Sequence, residues 1–369
     1  MNKIHIVENF CTNYEHAPIN AAFIKNNLLK YPKYKIIFYA EELHIKAVKG
    51  ILKEYALGVD FICINTYRGK SFFYNLANNF IFFYKLIKKK EFILVTTLSI
   101  YNLIAIKVLI KYSKTNLIQI VPHAVLGILG NNQKVSFVKK IKRIIVYPIS
   151  FKFWFYSFNS SKLNYIILGE SIAKNLFSLN KKIAYFCKVI NHPYIYTNNI
   201  NSKEFNNKKI KIGFLGIGNK EKGIDKYFNL INKLNSEEYN LEFYLIGKLK
   251  YDFEKPDNLI VLSKNDNMIS KETMDKVAME MDFFIFLLKK EDYRLRASGT
   301  FFDAINYGKP IISLSNDFTD YYLCKVDNYV FKDVNEIEVF LKALKDKDNK
   351  EYLKLIDKVL NLKNYLNGN

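Results

Sequence analysis

One feature constrains this chain more than any other: short, apolar, β-rich runs alternate with helix-period segments from end to end. Neighbouring parallel strands need a long crossover between them, and a helix is the usual one, so the alternation predicts an α/β fold with parallel sheets. Strands are expected at 3–7, 35–39, 61–64, 92–96, 117–121 and 165–168. A second set is expected at 210–216, 241–246, 259–262, 283–288, 311–314 and 329–331. Helices are expected between them, among others at 20–30, 223–235, 271–280 and 300–307. After His192 and Pro193 comes the polar run TNNINSKEFNNKK, the composition of an exposed connection. The reading is therefore two Rossmann-like domains facing a cleft, residues 1–195 and 196–348, with a terminal helix at 349–369 turning back toward the first domain. A chain of 369 residues, half of them hydrophobic, can bury two such cores.

Charge separates the two halves. Residues 1–200 carry 28 Lys/Arg against 8 Asp/Glu, and residues 201–369 carry 28 against 27. A net +21 concentrated in one half suits an anionic partner, with nucleic acid and anionic lipid the two candidates at this level. Codon bias toward lysine is the plain alternative, but bias alone would not leave the second half neutral. Residues 72–90 and 135–158 interleave aromatic side chains with Lys and Arg, as in KKIKRIIVYPISFKFWFYSF, a mixture that suits a headgroup layer and equally suits core helices with snorkelling lysines. Residues 115–133 lack charge but are interrupted by Pro122, His123, Gly127 and Gly130, so no membrane span is expected. The first residues run straight into a strand pattern without the order of a signal peptide, so a cytoplasmic location is expected. Cys11, Cys63, Cys187 and Cys324 have no metal-ligand spacing and read as buried thiols in a reducing compartment.

Chemistry concentrates in the second half. KIKIGFLGIGNKEKGIDKYF is a strand, a glycine turn and a helix, and such turns sit at the carboxyl ends of parallel strands, where ligands bind. Gly216 and Gly218 let a backbone approach a ligand, and Lys220 and Lys222 add cations beside a helix amino terminus, a suitable place for phosphate. The same residues also suit a structural turn with solvated lysines. A dinucleotide fingerprint is incomplete, because Glu221 stands where the third glycine belongs. The stretch YRLRASGTFFDAINYGKPII repeats the strand-end geometry. Arg294 and Arg296 can grip phosphate oxygens, Ser298 can cap the helix, and the N–H groups of Gly299 and Thr300 can receive an oxyanion. Asp303 lies three and four residues further, on the same helix face, where it would accept hydrogen bonds from sugar hydroxyls. Diphosphate donors beside a hydroxyl acceptor match a nucleotide's diphosphate and ribose.

The turn from Gly216 to Gly223, the segment EFYLIG and the segment ASGTFFDAINYGKPII together resemble GT-B glycosyltransferases of the bacterial cell-surface polysaccharide type, the family 4-like group 1 transferases. Residues 210–345 follow that pattern in order and spacing, and the first half follows it only in plan. The resemblance implies a nucleotide-sugar donor in the second domain, with Lys222 and the two arginines at the diphosphate and Asp303 at the ribose. Retaining members place two glutamates with seven residues between them; with Asp303 as the second, the first falls on Leu295, so the pair is broken and the stereochemistry is left unassigned.

On the acceptor side, the loop ENFCTNYEHAP follows the first strand and carries Glu15 and His16, and His123 follows the fifth. A histidine or carboxylate there can take the acceptor's proton if the reaction inverts, and His123 resembles the histidine found after a strand in many GT-B first domains. Both histidines also suit structural roles, and Glu170 is a lesser candidate. The expected activity is transfer of a sugar from a nucleotide-sugar donor to a lipid-linked or surface glycan (lipopolysaccharide, capsule or glycoprotein). The enzyme would be peripheral at the inner face of the membrane, on an anionic surface, with no nucleic-acid partner, no metal and no obligatory cofactor. A nucleic-acid-binding protein and a nucleotide-sugar epimerase are the rival readings.

Overall fold

A computed structural model of the chain describes residues 2–66, 70–111, 117–123, 125–130, 150–197, 205, 208–234, 237–250, 254–263, 270–326 and 329–368. The chain divides into two units, Met1–Ile195 and Tyr196–Asn369.

Among the described residues the first unit holds seven strands: β1 (Lys3–Val7), β2 (Lys35–Ala40), β3 (Val59–Cys63), β4 (Phe92–Val95), β5 (Ile118–Ile120), β6 (Leu163–Leu168) and β7 (Cys187–Ile190). Their order is β3-β2-β1-β4-β5-β6-β7, parallel at every pairing. The second unit holds β8 (Ile210–Leu215), β9 (Leu241–Ile246), β10 (Leu259–Val261), β11 (Phe283–Phe286), β12 (Ile311–Leu314) and β13 (Tyr329–Phe331). Their order is β10-β9-β8-β11-β12-β13, again all parallel. Both sheets are doubly wound, and each reverses its strand order once, between β1 and β4 and between β8 and β11. Such a reversal splays the two flanking crossovers apart and leaves a crevice at the strands' carboxyl ends.

Central strands such as β11 (FFIF) and β12 (IISL) are buried at every residue, as expected of parallel strands covered by helices on both faces. Strand β7 is an addition to the expected set: CKVI is a short edge strand with Lys188 and Val189 exposed, so it lacks the continuous apolar run that marks the others. The terminal helix Asn349–Gly368, expected to turn toward the first domain, contributes Tyr352, Leu355 and Ile356 to the core of the second unit. Phe205 stacks on Tyr352 with ring centroids 4.7 Å apart, and the Lys363 ammonium donates to the carbonyls of Thr197 and Asn306.

The cysteines differ from expectation. All four are free thiols, but only Cys11 is buried, Cys187 is half-buried, and Cys63 and Cys324 are exposed. Cys63 ends an edge strand and Cys324 follows a helix terminus, neither of which supplies enclosing side chains. In the aromatic, basic stretch at 135–158, residues 135–149 lie outside the described residues. The rest forms the helix Phe151–Tyr156, with Phe151 and Phe155 in the core. The buried Lys107 ammonium donates to the carbonyls of Trp154, Phe155 and Ser157, which cap that helix at its carboxyl end. No helix among the described residues is long and apolar enough to cross a membrane.

Candidate functional site

In the second unit the chain leaves β8 at Gly216, whose φ of 93° lies in the region glycine tolerates best. A Cβ at Gly216 would lie 2.6 Å from Thr300 Cγ2 and 2.8 Å from Lys222 Nζ. Three elements therefore converge on one point: the end of β8, the turn after it, and the start of the helix Gly299–Asn306. Lys222 Nζ donates to Thr300 Oγ1 at 3.2 Å, and Thr300 Oγ1 lies 3.1 Å from Ser298 Oγ. Asn219 Oδ1 accepts from the Lys222 N–H at 2.8 Å and fixes the turn that aims the ammonium. Burial pushes Lys222 down to about 8, and the field of the Asp303 carboxylate opposes that fall. Asp303 is half-buried, and the seven residues after it, 304–310, are all buried.

Close backbone packing holds this turn in place. A Cβ at Gly247, just past β9, would meet the Gly216 carbonyl oxygen at 2.0 Å, and a Cβ at Gly223 (φ 80°) would meet the Leu287 carbonyl oxygen at 2.2 Å. Lys289 N–H donates to the Glu221 carbonyl at 3.0 Å. The loops after β8, β9 and β11 thus form one platform at the sheet's reversal point. Substituting alanine for Gly216 adds left-handed strain to a direct clash with Lys222 and Thr300. It is expected to cost about 2 kcal/mol of stability and, if this turn holds a nucleotide, to weaken that binding at least about tenfold, as read by a thermal melt and a nucleotide titration.

Several expected site residues stand differently. Ser298 occupies the position before the helix but makes no capping bond; its buried hydroxyl turns to Thr300 instead. The N–H groups of Gly299 and Thr300 meet no acceptor among the described residues, and the space where a Gly299 side chain would sit is open. Gly218 is buried against Ile224 and Leu249, and its backbone bonds to Lys248 and Lys250, so its missing side chain serves packing. Arg296 Nη1 pairs with Glu221 Oε2 at 2.9 Å, and its guanidinium lies over the Tyr293 ring. It is a neutralised cation, not an open grip. Arg294 and Lys220 are exposed. Leu295 is 2% exposed, so the position that carries the first glutamate in paired-glutamate enzymes is here part of the core.

In the first unit the equivalent reversal point, after β1 and β4, gathers a polar cluster. Glu8 is fully buried. Its Oε1 accepts from the N–H groups of Phe10 (3.1 Å) and Cys11 (2.9 Å), and its Oε2 from Thr96 Oγ1 (3.3 Å), Thr97 Oγ1 (2.7 Å) and Asn20 Nδ2 (3.1 Å). Burial alone would raise its pKa; the bonds from Cys11, Thr97 and Asn20 outweigh it and hold the carboxyl below its ordinary range. Asn20 also meets His44 Nε2 at 2.8 Å, and His44 Nδ1 reaches the Asn13 carbonyl at 2.9 Å, so the loop from Glu8 to His16 is pinned at both ends. His16, in a left-handed conformation, lies 3.2 Å from Cys11 Sγ through Nδ1, and its ring is 4.6 Å from that of His123.

Both ring nitrogens of His123 are sealed from solvent and meet no partner among the described residues. Burial, then the fields of His16 and His192, holds His123 well below its ordinary value, and burial pushes His192 down to about 3. His123 is therefore a neutral imidazole, better suited to a hydrogen bond with a hydroxyl than to strong proton abstraction. Glu15, exposed on the same loop, is within electrostatic reach of Cys11. Ligand atoms of Glu8, Cys11 and His16 lie within 4.8 Å of one another, a spacing a cation can use. However, both Glu8 oxygens are already filled by donors, and burial with the charges of Glu8 and Glu15 holds the Cys11 thiol protonated. The cluster is built as a hydrogen-bonded network. Sequence reasoning missed Glu8, Asn219 and Gly247; a carboxylate directly after a strand and a glycine ending EFYLIG were the available signals.

Two doubly wound parallel-sheet units, each with polar residues at its reversal point, define the GT-B class of fold. No family model matches the sequence, and no curated protein does. The fold is shared with solved structures. A lipopolysaccharide outer core galactosyltransferase in its apo form aligns at a TM-score of 0.61 with 12% identity, over 99% of this chain and 98% of that one. A trehalose-6-phosphate synthase studied for glycosyl transfer with retention aligns at 0.58 with 8% identity, over 99% and 97%. A putative UDP-N-acetylglucosamine 2-epimerase from Listeria monocytogenes aligns at 0.54 with 10% identity, over 96% and 90%. At these identities the likeness establishes the fold; the activity is argued from the residues.

Proposed function

We propose that the chain is a glycosyltransferase that moves a sugar from a nucleotide-sugar donor to a lipid-linked or surface glycan at the inner face of the membrane. The observation that carries this reading is the Lys222 ammonium beside Gly216 and Thr300, at a helix amino terminus whose first two N–H groups meet no acceptor among the described residues and whose Asp303 acts on the ammonium electrostatically. A diphosphate fits the cation and N–H groups, and a ribose hydroxyl fits the carboxylate. In the reaction the acceptor oxygen bonds to the anomeric carbon while the bond from that carbon to the diphosphate oxygen breaks, and the acceptor's hydroxyl proton passes to the departing phosphate oxygen or to solvent. Lys222 and the helix N–H groups would stabilise the charge that develops on the departing phosphate. Arg294 adds a second cation, and Arg296 joins it only by leaving Glu221. His16 and His123 would orient the acceptor hydroxyl, and the anomeric configuration of the product gives the stereochemistry.

Lys222 also sets a pH dependence. Only its protonated form neutralises the diphosphate, and its folded value is near 8. Donor kcat/KM, which reports the free enzyme, is therefore expected to be level below pH 7 and to fall about tenfold per pH unit well above 8. In Lys222→Met that limb should vanish, as a pH–rate series on both proteins would reveal.

The experiment for the function is product analysis with a panel of nucleotide sugars, with and without a membrane-lipid extract as acceptor source. Release of nucleoside diphosphate from one donor only when acceptor is present is the expected result. An epimerised sugar nucleotide formed from donor alone, or no turnover with any donor, would overturn it.

A further inference from the structure

The helix Phe72–Ile87 buries one face and leaves the other uncovered. Asn75, Asn79, Phe83, Leu86 and Ile87 point inward, against the helix Ile100–Lys111. On the outer face Phe73 is 78% exposed, Tyr74 50%, Ile81 56% and Tyr84 49%. At about 100° per residue these four fall within roughly a third of the helix circumference, in one stripe along the axis. Exposed Lys85 and Lys88 share that stripe, Lys70 precedes the helix, and Lys89 follows it. None of these four lysines belongs to an ion pair among the described residues; Lys88 lies over the Tyr84 ring at 4.5 Å.

Large apolar side chains in water are normally scattered singly, so a continuous stripe marks a surface meant to be covered. We infer that this helix lies flat in the headgroup layer of an anionic lipid bilayer, with Phe73, Ile81 and Tyr84 inserted and the lysines on lipid phosphates. Its 16 residues are too few to span a bilayer but suffice to lie in its surface. Charge argues for lipid over a second copy, since two such faces brought together would juxtapose their lysines, and lysine is depleted at protein interfaces.

The helix is also wired to the candidate acceptor loop. Asn9 Nδ2 donates to Asn79 Oδ1 at 2.8 Å, Asn102 Nδ2 donates to Asn9 Oδ1 at 3.3 Å, and Asn9 directly follows the buried Glu8. Resting on the reading of the first unit as the acceptor side, bilayer docking of this helix would hold the loop Glu8–His16 at the depth of a lipid-linked acceptor.

Flotation of the full chain with vesicles of equal parts phosphatidylglycerol and phosphatidylcholine tests the docking without using turnover. The wild-type chain is expected to float with these vesicles, to be released by salt, and to stay down with phosphatidylcholine alone. Phe73→Ser/Ile81→Ser/Tyr84→Ser should lower the partition coefficient at least about tenfold, with melting temperature and activity on a detergent-dispersed acceptor unchanged. Lys85→Glu/Lys88→Glu should lower it about fivefold or more per charge. Equal flotation of wild type and both variants, no flotation at all, an oligomer dispersed by the triple variant, or an RNA competitor that binds through these residues would each overturn the inference. Flotation without nucleoside diphosphate release from any donor would leave the docking standing and remove the transferase reading instead.

Discussion

Replacing Lys222 by methionine is expected to lower donor kcat/KM by about 100- to 1000-fold, because on the proposed reading the variant loses the cation facing the departing diphosphate in a site partly shielded from water. Stability should hold or rise. The ammonium is desolvated enough to bring its pKa to about 8, and the methionine stem keeps the packing against Gly216 while removing that cost. Arginine should rescue little: Nζ already reaches Thr300 Oγ1 at 3.2 Å, and a longer, planar guanidinium cannot reproduce a point cation at that position. Steady-state kinetics with a parallel thermal melt separate this from an unfolding effect. Normal turnover in Lys222→Met would remove the residue from the site.

The second large effect is on stability. Glu8→Ala is expected to destabilise the first unit by about 3–5 kcal/mol, because five donors from Phe10, Cys11, Thr96, Thr97 and Asn20 lose a buried carboxylate at once. Glu8→Gln should cost less, since one oxygen remains to accept. The folded carboxyl lies below its ordinary value of 4.5, so its contribution is fully present above that value and is lost as pH falls through the folded pKa. The acid limb of the stability curve should therefore be flatter in Glu8→Gln than in the wild type. The chain's single tryptophan, Trp154, sits in the first unit, so its fluorescence during urea unfolding reports that unit directly.

Much of the fold was legible because parallel strands covered on both faces read as largely apolar runs, and the runs at 241–246 and 311–314 match β9 and β12. Strand β7 was not, since CKVI is only four residues at a sheet edge with Lys188 and Val189 exposed, which leaves no apolar run to read. At the candidate site, the positions that need a particular backbone were readable: a glycine after β8 and small polar residues before a helix. Pairing was not readable. Nothing in the spacing of Glu221 and Arg296, 75 residues apart, announces their ion pair, and Leu295 gives no sign in sequence that it points into the core. Those facts depend on which loops the reversal between β8 and β11 brings together. Nothing in sequence separates Glu8 from Glu15, because the donors from Asn20, Thr96 and Thr97 that hold Glu8 buried come from elements that only the fold brings to it.

The central claim is that a nucleoside diphosphate binds at Gly216, Lys222 and Thr300. Calorimetric titration of the wild type and Lys222→Met with uridine, guanosine, adenosine and cytidine diphosphates tests it most directly. One of these should bind the wild type with a single site and bind Lys222→Met at least about 30-fold more weakly. Equal affinity in the two proteins, or no binding of any of the four to the wild type, would contradict the account.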